Sequence, residues 1–174
     1  MNILSVFKNR RSVRQYTGET IPQELLEQVL KAGLTSASGR ARRPWEFIVV
    51  REKDTLQKMS KCRAGGAGML EGADAAIVVI ADPDKTDVWV EDASNAMANM
   101  HLAADALGIG SCWIQGRLRE AGDGRLTETY LRELLHYPDT YRLEAILSLG
   151  MPASHAPAYE DSDLLMEKIH YERY

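Results

Sequence analysis

Residues 91–116, EDASNAMANMHLAADALGIGSCWIQG, constrain the fold more than any other stretch of this chain. Ala93, Ala96, Met97, Met100, Ala103, Ala104 and Leu107 fall at helical spacing, and Ala98, Leu102 and Ala106 make much of the remaining surface apolar. The pattern predicts a helix buried on more than one side. Its small residues let neighbouring helices, or a second copy of the chain, approach the backbone closely. Gly108 reads as the residue past the helix end, where a left-handed conformation costs glycine little. Residues 110–116 then mix a short β-like run with two flexible ends, and backbone exposed beside a buried helix makes a natural ligand wall. A core helix running into a core strand fits the same pattern, because an apolar stripe most often means core.

Composition narrows the class. At 174 residues, with 45% hydrophobic and 26% charged, residues 1–174 are expected to form a single domain around one core. A net charge of -4 argues against nucleic-acid binding, which needs a strong positive field, so any bound phosphate must be met by a local cluster. Cys62 and Cys112 lie far apart and form no CxxC or Cys/His array, so neither a disulfide framework nor a metal site is indicated. Reduced thiols fit a cytoplasmic protein, and no stretch approaches the ~20 apolar residues of a membrane span.

In chain order, Ile3, Leu4, Val6 and Phe7 can share one side of a starting helix that leads into Arg10, Arg11, Ser12, Val13 and Arg14. Three arginines and a hydroxyl within five residues suit an anion, because guanidinium offers planar donors to phosphate or carboxylate oxygens and keeps its charge. A solvated basic turn is the plainer reading. Pro22 and Glu24 mark a helix start whose apolar face is Leu25, Leu26, Val29, Leu30 and Ala32. After Gly33 comes a small-residue, arginine-rich loop through Ser38, Gly39, Arg40, Ala41, Arg42 and Arg43. WEFIVV at 45–50 is the first strand, AAIVVIA at 75–81 a strand buried in mid-sheet, and 141–149 a strand closed by Gly150, Met151 and Pro152. Helices are expected over 54–61 and 126–136. The GGAG run at 65–68 is not a phosphate loop, because no GK[ST] follows. His101, His136, His155 and His170 are scattered and read as structural or surface residues. The tail from His155 is polar until Leu164, Leu165, Met166 and Ile169, and should pack on the body or across onto a partner chain. Strands near 45, 75, 110 and 143 separated by helices give an α+β layered domain with one central sheet.

RRSVRQY near the start, SGRARRPWEFIVV after the first long helix, the 92–116 segment and LEAILSLGMP near the end resemble, in order and spacing, the FMN-dependent nitroreductase family. The resemblance implies an α+β nitroreductase-like fold, a central, mainly antiparallel sheet flanked by helices, in an intertwined homodimer with FMN at the subunit interface. It implies hydride transfer from NADH or NADPH through FMN to a nitroaromatic, quinone or other small organic acceptor, in ping-pong order. By similarity, Arg10, Ser12 and Arg14 contact the cofactor, with Arg11 also in the site. Arg10 and Arg11 are expected at the phosphate and Arg14 near the N1/O2 edge, where positive charge stabilises anionic reduced flavin. Ser38 and Gly39 match a motif that touches the flavin from the other subunit. Trp113, Ile114, Gln115 and Gly116 match the loop against the ring, with Cys112 adjoining it. No side chain is assigned as catalytic.

Two departures stand out. Many relatives carry an asparagine and a glutamine before Pro-Trp, where this chain has Ala41 and Arg43. Many also use a Lys/Arg pair after the closing strand, whereas residues 154–163 contain none, leaving Arg11, Arg42, Arg43, Lys168 or Arg173 to compensate. They keep open an FMN-binding or flavin-sequestering protein without turnover. A basic-loop nucleic-acid binder using Arg10, Arg11, Arg14, Arg40, Arg42 and Arg43 would bind in a salt-sensitive way, against the acidic total charge.

Overall fold

The computed structural model describes residues 2–174. Among the described residues nine principal elements follow in order: α1 (Ile3–Asn9), α2 (Gln23–Leu34), β1 (Trp45–Val50), α3 (Lys53–Met59), β2 (Ala75–Ala81), α4 (Trp89–Ala106), β3 (Gly110–Gln115), α5 (Thr127–Leu135) and β4 (Arg142–Gly150). The strands form one sheet in the order β1-β2-β4-β3, antiparallel throughout. All seven residues of β2 are buried, as its unbroken apolar run requires.

Strand side chains alternate between faces, so one sheet builds two cores. Ile77, Val79 and Ala81 of β2 join Ala145, Leu147 and Leu149 of β4 against α2 and α4. Ala76, Val78 and Ile80 join Leu143, Ile146 and Ile114 against α3 and α5. Of the expected α4 face, Ala93, Ala96, Met97, Met100 and Ala104 are fully buried and Ala103 and Leu107 half-buried; Ala98 and Ala106 are exposed, so the protomer does not cover the second side the pattern predicts. The helix ends at Leu107, and Gly108 follows at φ +75°, a left-handed position that glycine adopts without strain.

Register breaks once. Val79 pairs with Ala145 and Ile80 with Leu143, which leaves Glu144 as an extra residue on β4. This β-bulge turns a carboxylate into the interior, where burial pushes it above the usual carboxylate range. Its Oε1 accepts from Ser94 Oγ at 3.0 Å, while its Oε2 is buried without a partner.

Two apolar surfaces stay uncovered. The α1 helix buries none of its residues, leaving Ile3 68% and Leu4 63% exposed. The tail is clipped to α1 by Lys8 Nζ to Asp161 at 2.5 Å and by the Tyr159 N–H to the Lys8 carbonyl, yet Leu164, Leu165, Met166 and Ile169 remain exposed. Packing of the tail's apolar residues on the body is therefore not what the protomer does. No helix among the described residues is long and apolar enough to cross a membrane.

Candidate functional site

After α1, residues 12–17 run beside the free edge of β3. Ser12 bridges Ser111 in parallel, the Val13 N–H donates to the Ser111 carbonyl at 2.9 Å, and the Thr17 N–H donates to the Met151 carbonyl at 2.9 Å. Two glycines make room for this docking. Gly110 and Gly150 face each other in register at the end of the β3–β4 ladder. A Cβ at Gly110 would lie 2.8 Å from Val13 Cγ1, and one at Gly150 would lie 2.5 Å from Tyr16 Cγ. Only a side chain reduced to hydrogen admits both neighbours. Val13 is buried in this notch, and the Tyr16 hydroxyl sits 2.9 Å from the Val13 carbonyl oxygen and 2.8 Å from Ser148 Oγ. Burial raises the Tyr16 phenol well above its ordinary value.

The docking fixes the start of the arginine cluster. Arg10 caps the C-terminus of α1 and places Nη1 2.9 Å from His101 Nε2 on α4. Guanidinium has no acceptor, so Nε2 accepts and the imidazole proton resides on Nδ1, which donates to Ser111 Oγ at 2.6 Å. Burial, then the Arg10 charge, hold His101 down at about 4, against a smaller opposing pull from Asp105. The imidazole is thus neutral at neutral pH. Arg14 lies along the same edge, its Nη1 3.4 Å from the Ser12 carbonyl. The buried Cys112 thiol is raised chiefly by burial, and it feels opposing pulls from Arg14, a Ser12 hydrogen bond, Arg10 and Arg63. Neither Arg10, Arg14 nor Arg63 has a carboxylate within 4.0 Å among the described residues. Arg11 turns away: it bonds the Pro157 carbonyl and stacks 4.7 Å from the centre of the Tyr159 ring.

Beyond Ser111, β3 is an edge strand. In an antiparallel strand the N–H and C=O of one residue point the same way, alternating along the chain. Because Ser111 points away from β4, so do Trp113 and Gln115, whose backbone groups line the outer edge. Trp113 Nε1 donates to Gln115 Oε1 at 3.0 Å, tying the two half-buried side chains together on that edge. Ile114 and Gly116 point inward and are buried, and a Cβ on Gly116 would meet Leu143 Cδ2 at 2.5 Å.

Ser38 and Gly39 lie elsewhere. The Gly39 N–H donates to Asp92 Oδ1 at 2.8 Å, and Ser38 Oγ accepts from the Arg43 N–H at 2.9 Å. Asp92 and His101 are nine residues apart on α4, about 13 Å along the axis. One protomer therefore presents its two arginine-bearing motifs at opposite ends of one helix. The second is strained, with Arg40, Ala41 and Arg43 at φ of 50°, 55° and 46°. Asp92 Oδ2 is buried without a partner.

The set suits a flavin mononucleotide: uncompensated guanidiniums and the Ser12 hydroxyl for a phosphate, and a free strand edge for the polar atoms of a flat ring. The structure brings Arg10, Ser12, Arg14, Cys112, Trp113, Gln115 and the backbone between them to one edge, and sets Arg11, Ser38 and Gly39 apart from it. Sequence reasoning missed His101, Arg63 and Glu144. A lone histidine in an apolar helix carried no signal, Arg63 belongs to no motif the sequence offers, and a bulge cannot be read from one strand.

Comparison with known proteins gives the family and the fold. A profile of the Nitroreductase family matches residues 7–66 and 57–151. A protein of Archaeoglobus fulgidus provisionally named NADH dehydrogenase/NAD(P)H nitroreductase is 40% identical over 176 residues, covering 98% of each chain. The structure of an FMN-dependent nitroreductase from Clostridium difficile superposes with a TM-score of 0.95 at 44% identity, over 98% of this chain and 99% of that one. A provisionally named nitroreductase from Desulfovibrio desulfuricans, solved in complex with FMN, superposes with a TM-score of 0.79 at 26% identity, over 100% of this chain and 98% of that one.

Proposed function

The chain belongs to the nitroreductase family, and from that premise we propose that it is an FMN-dependent NAD(P)H oxidoreductase reducing nitroaromatics, quinones or other small organic acceptors in ping-pong order. The observation that carries the reading is that Arg10 and Arg14, without carboxylate partners among the described residues, flank the segment that the Gly110–Gly150 notch seats on the edge of β3. Arg10 would hold the phosphate and Arg14 would stand at the N1/O2 edge, where its charge would favour the reduced, anionic ring. Arg11 joins the phosphate only if the Pro157 and Tyr159 contacts release it. The outward backbone of Trp113 and Gln115, with Gly116 at the turn and Cys112 adjoining, would meet the polar edge near N5 and O4. Bound FMN supplies the hydride chemistry; the protein supplies orientation, charge and exclusion of water. No side chain need move a proton to the ring, and none is assigned a catalytic role.

The whole chain, 1–174, acts as one FMN-binding domain in a homodimer, in the cytoplasm, where the two free thiols stay reduced. Ser38 and Gly39 act on the partner's site. Their separation from Arg10 along α4, and the uncovered apolar faces of α1 and the tail, support this arrangement.

Subunit mixing tests it. Arg10→Ala damages a site in its own subunit, and Gly39→Val damages the site across the interface. Each homodimer should bind FMN poorly, whereas a refolded equimolar mixture should recover about a quarter of the wild-type sites, through heterodimers with one intact site. No recovery, with both variants folded, would sink the shared-site reading.

A further inference from the structure

We propose that His101 is the positioning residue of the cofactor phosphate site: its Nε2 fixes the Arg10 guanidinium, and its Nδ1 ties that guanidinium through Ser111 to β3. The inference rests on the placing of Arg10 at the FMN phosphate.

Arg10 needs such a support. It leaves a seven-residue helix that buries none of its own side chains and is tied to α4 by Asn9 Nδ2 donating to Asp105 Oδ2, a bond that does not reach the guanidinium. Its one side-chain hydrogen bond among the described residues goes to His101, which is 6% exposed on the 18-residue α4. The other end of the imidazole is anchored at 2.6 Å on Ser111, itself 2% exposed and the residue whose carbonyl receives the Val13 N–H. One relay thus joins α1, α4, β3 and the docked segment at the point where the ligand would be met.

Neutrality is what suits imidazole to this position. A carboxylate would hold Arg10 equally well but would cancel its charge and compete with the phosphate for the same donors. Neutral imidazole takes one of the five guanidinium N–H groups and leaves four, with the full charge, for the anion. An arginine held in its bound rotamer loses less freedom when the ligand arrives.

The test measures FMN and riboflavin dissociation constants on the flavin-stripped protein. Riboflavin lacks the phosphate, so a role exercised through Arg10 must appear in the ratio of the two constants. His101→Phe should weaken FMN about tenfold and leave riboflavin within about twofold. His101→Gln, whose amide oxygen can accept the same bond, should stay within about threefold of wild type for both. Ser111→Ala, a smaller change, should weaken FMN about threefold by freeing the ring, and it serves if the phenylalanine variant does not fold. In an Arg10→Ala background, His101→Phe should add nothing. Equal losses for both flavins, or additive losses in the double variant, would overturn the role of His101. Arg10→Ala that keeps the preference for FMN over riboflavin would instead overturn the placing of Arg10, and His101's role with it.

Discussion

Replacing Gly150 with alanine would put a methyl carbon 2.5 Å from Tyr16 Cγ and 2.6 Å from its Cδ1, where carbon atoms normally rest about 3.5–4 Å apart. Tyr16 cannot swing aside cheaply. Its hydroxyl is fixed 2.8 Å from Ser148 Oγ and 2.9 Å from the Val13 carbonyl, and its backbone bridges Pro152. The ring must move by about 1 Å, which strains the bonds that seat residues 12–17 on β3 and β4. Overpacking of this kind costs about 1–3 kcal/mol, which for a chain of this size lowers Tm by roughly 3–10 °C. Because the displaced segment carries Ser12 and Arg14, FMN affinity should also fall about tenfold, read by flavin fluorescence on the same samples. Gly33→Ala is the matched control. Its Cβ would fall 2.8 Å from Met100 Sδ and 2.9 Å from Phe47 Cε2, an overpacked site of similar severity that touches no residue of the 12–17 segment. It should cost comparable stability and lower FMN affinity less than Gly150→Ala does. In a Tyr16→Ala background, Gly150→Ala should add little, because the clashing ring is gone. A Gly150→Ala protein with wild-type Tm and wild-type FMN affinity would refute the glycine notch as the device that seats the cluster.

Stability should fall as pH drops from 6.5 to 4, because the unfolded imidazole of His101 takes up a proton that the native one refuses. The loss attributable to this residue is about 3 kcal/mol by pH 4, and urea titrations of His101→Gln should lack it. Glu144 behaves oppositely: its folded pKa is raised, so its contribution weakens stability as pH rises above the ordinary carboxylate range. Glu144→Gln, which keeps an acceptor for Ser94, should flatten that slope and be more stable than wild type at pH 7; equal slopes would argue against a buried, unpaired Oε2. Asp74 accepts from Arg51 Nη2 at 2.6 Å and from the Ile21 N–H at 3.0 Å while 6% exposed. Asp74→Ala should therefore cost about 3 kcal/mol in urea unfolding, and a loss below about 1 kcal/mol would show that the pair contributes little.

What the sequence disclosed follows from how local each signal is. Strands β1 and β2 were legible because aromatic and β-branched runs leave little alternative, and α4 because its small apolar residues recur at one period. The arginine cluster at 10–14 was legible as charge without compensation. Its support was not: the Gly110–Gly150 pairing joins residues forty positions apart, and either glycine alone reads as a turn. His101 owes its role to Ser111 ten residues on and Arg10 far behind, neither at helical spacing. Arg11 was grouped with its neighbours by sequence, yet one residue of rotation along the chain sends it to Tyr159. The apolar residues of α1 and the tail were visible, but their exposure was not, because hydropathy does not say which chain covers a surface.

The most direct measurement is the absorption spectrum of the purified protein, followed by anaerobic titration with NADH and then NADPH. The account predicts flavin bands, one FMN per chain, that bleach with at least one of the two nucleotides and return when a quinone or nitroaromatic is added. A colourless protein that takes up no added FMN, or a bound flavin that neither nucleotide bleaches, would contradict it.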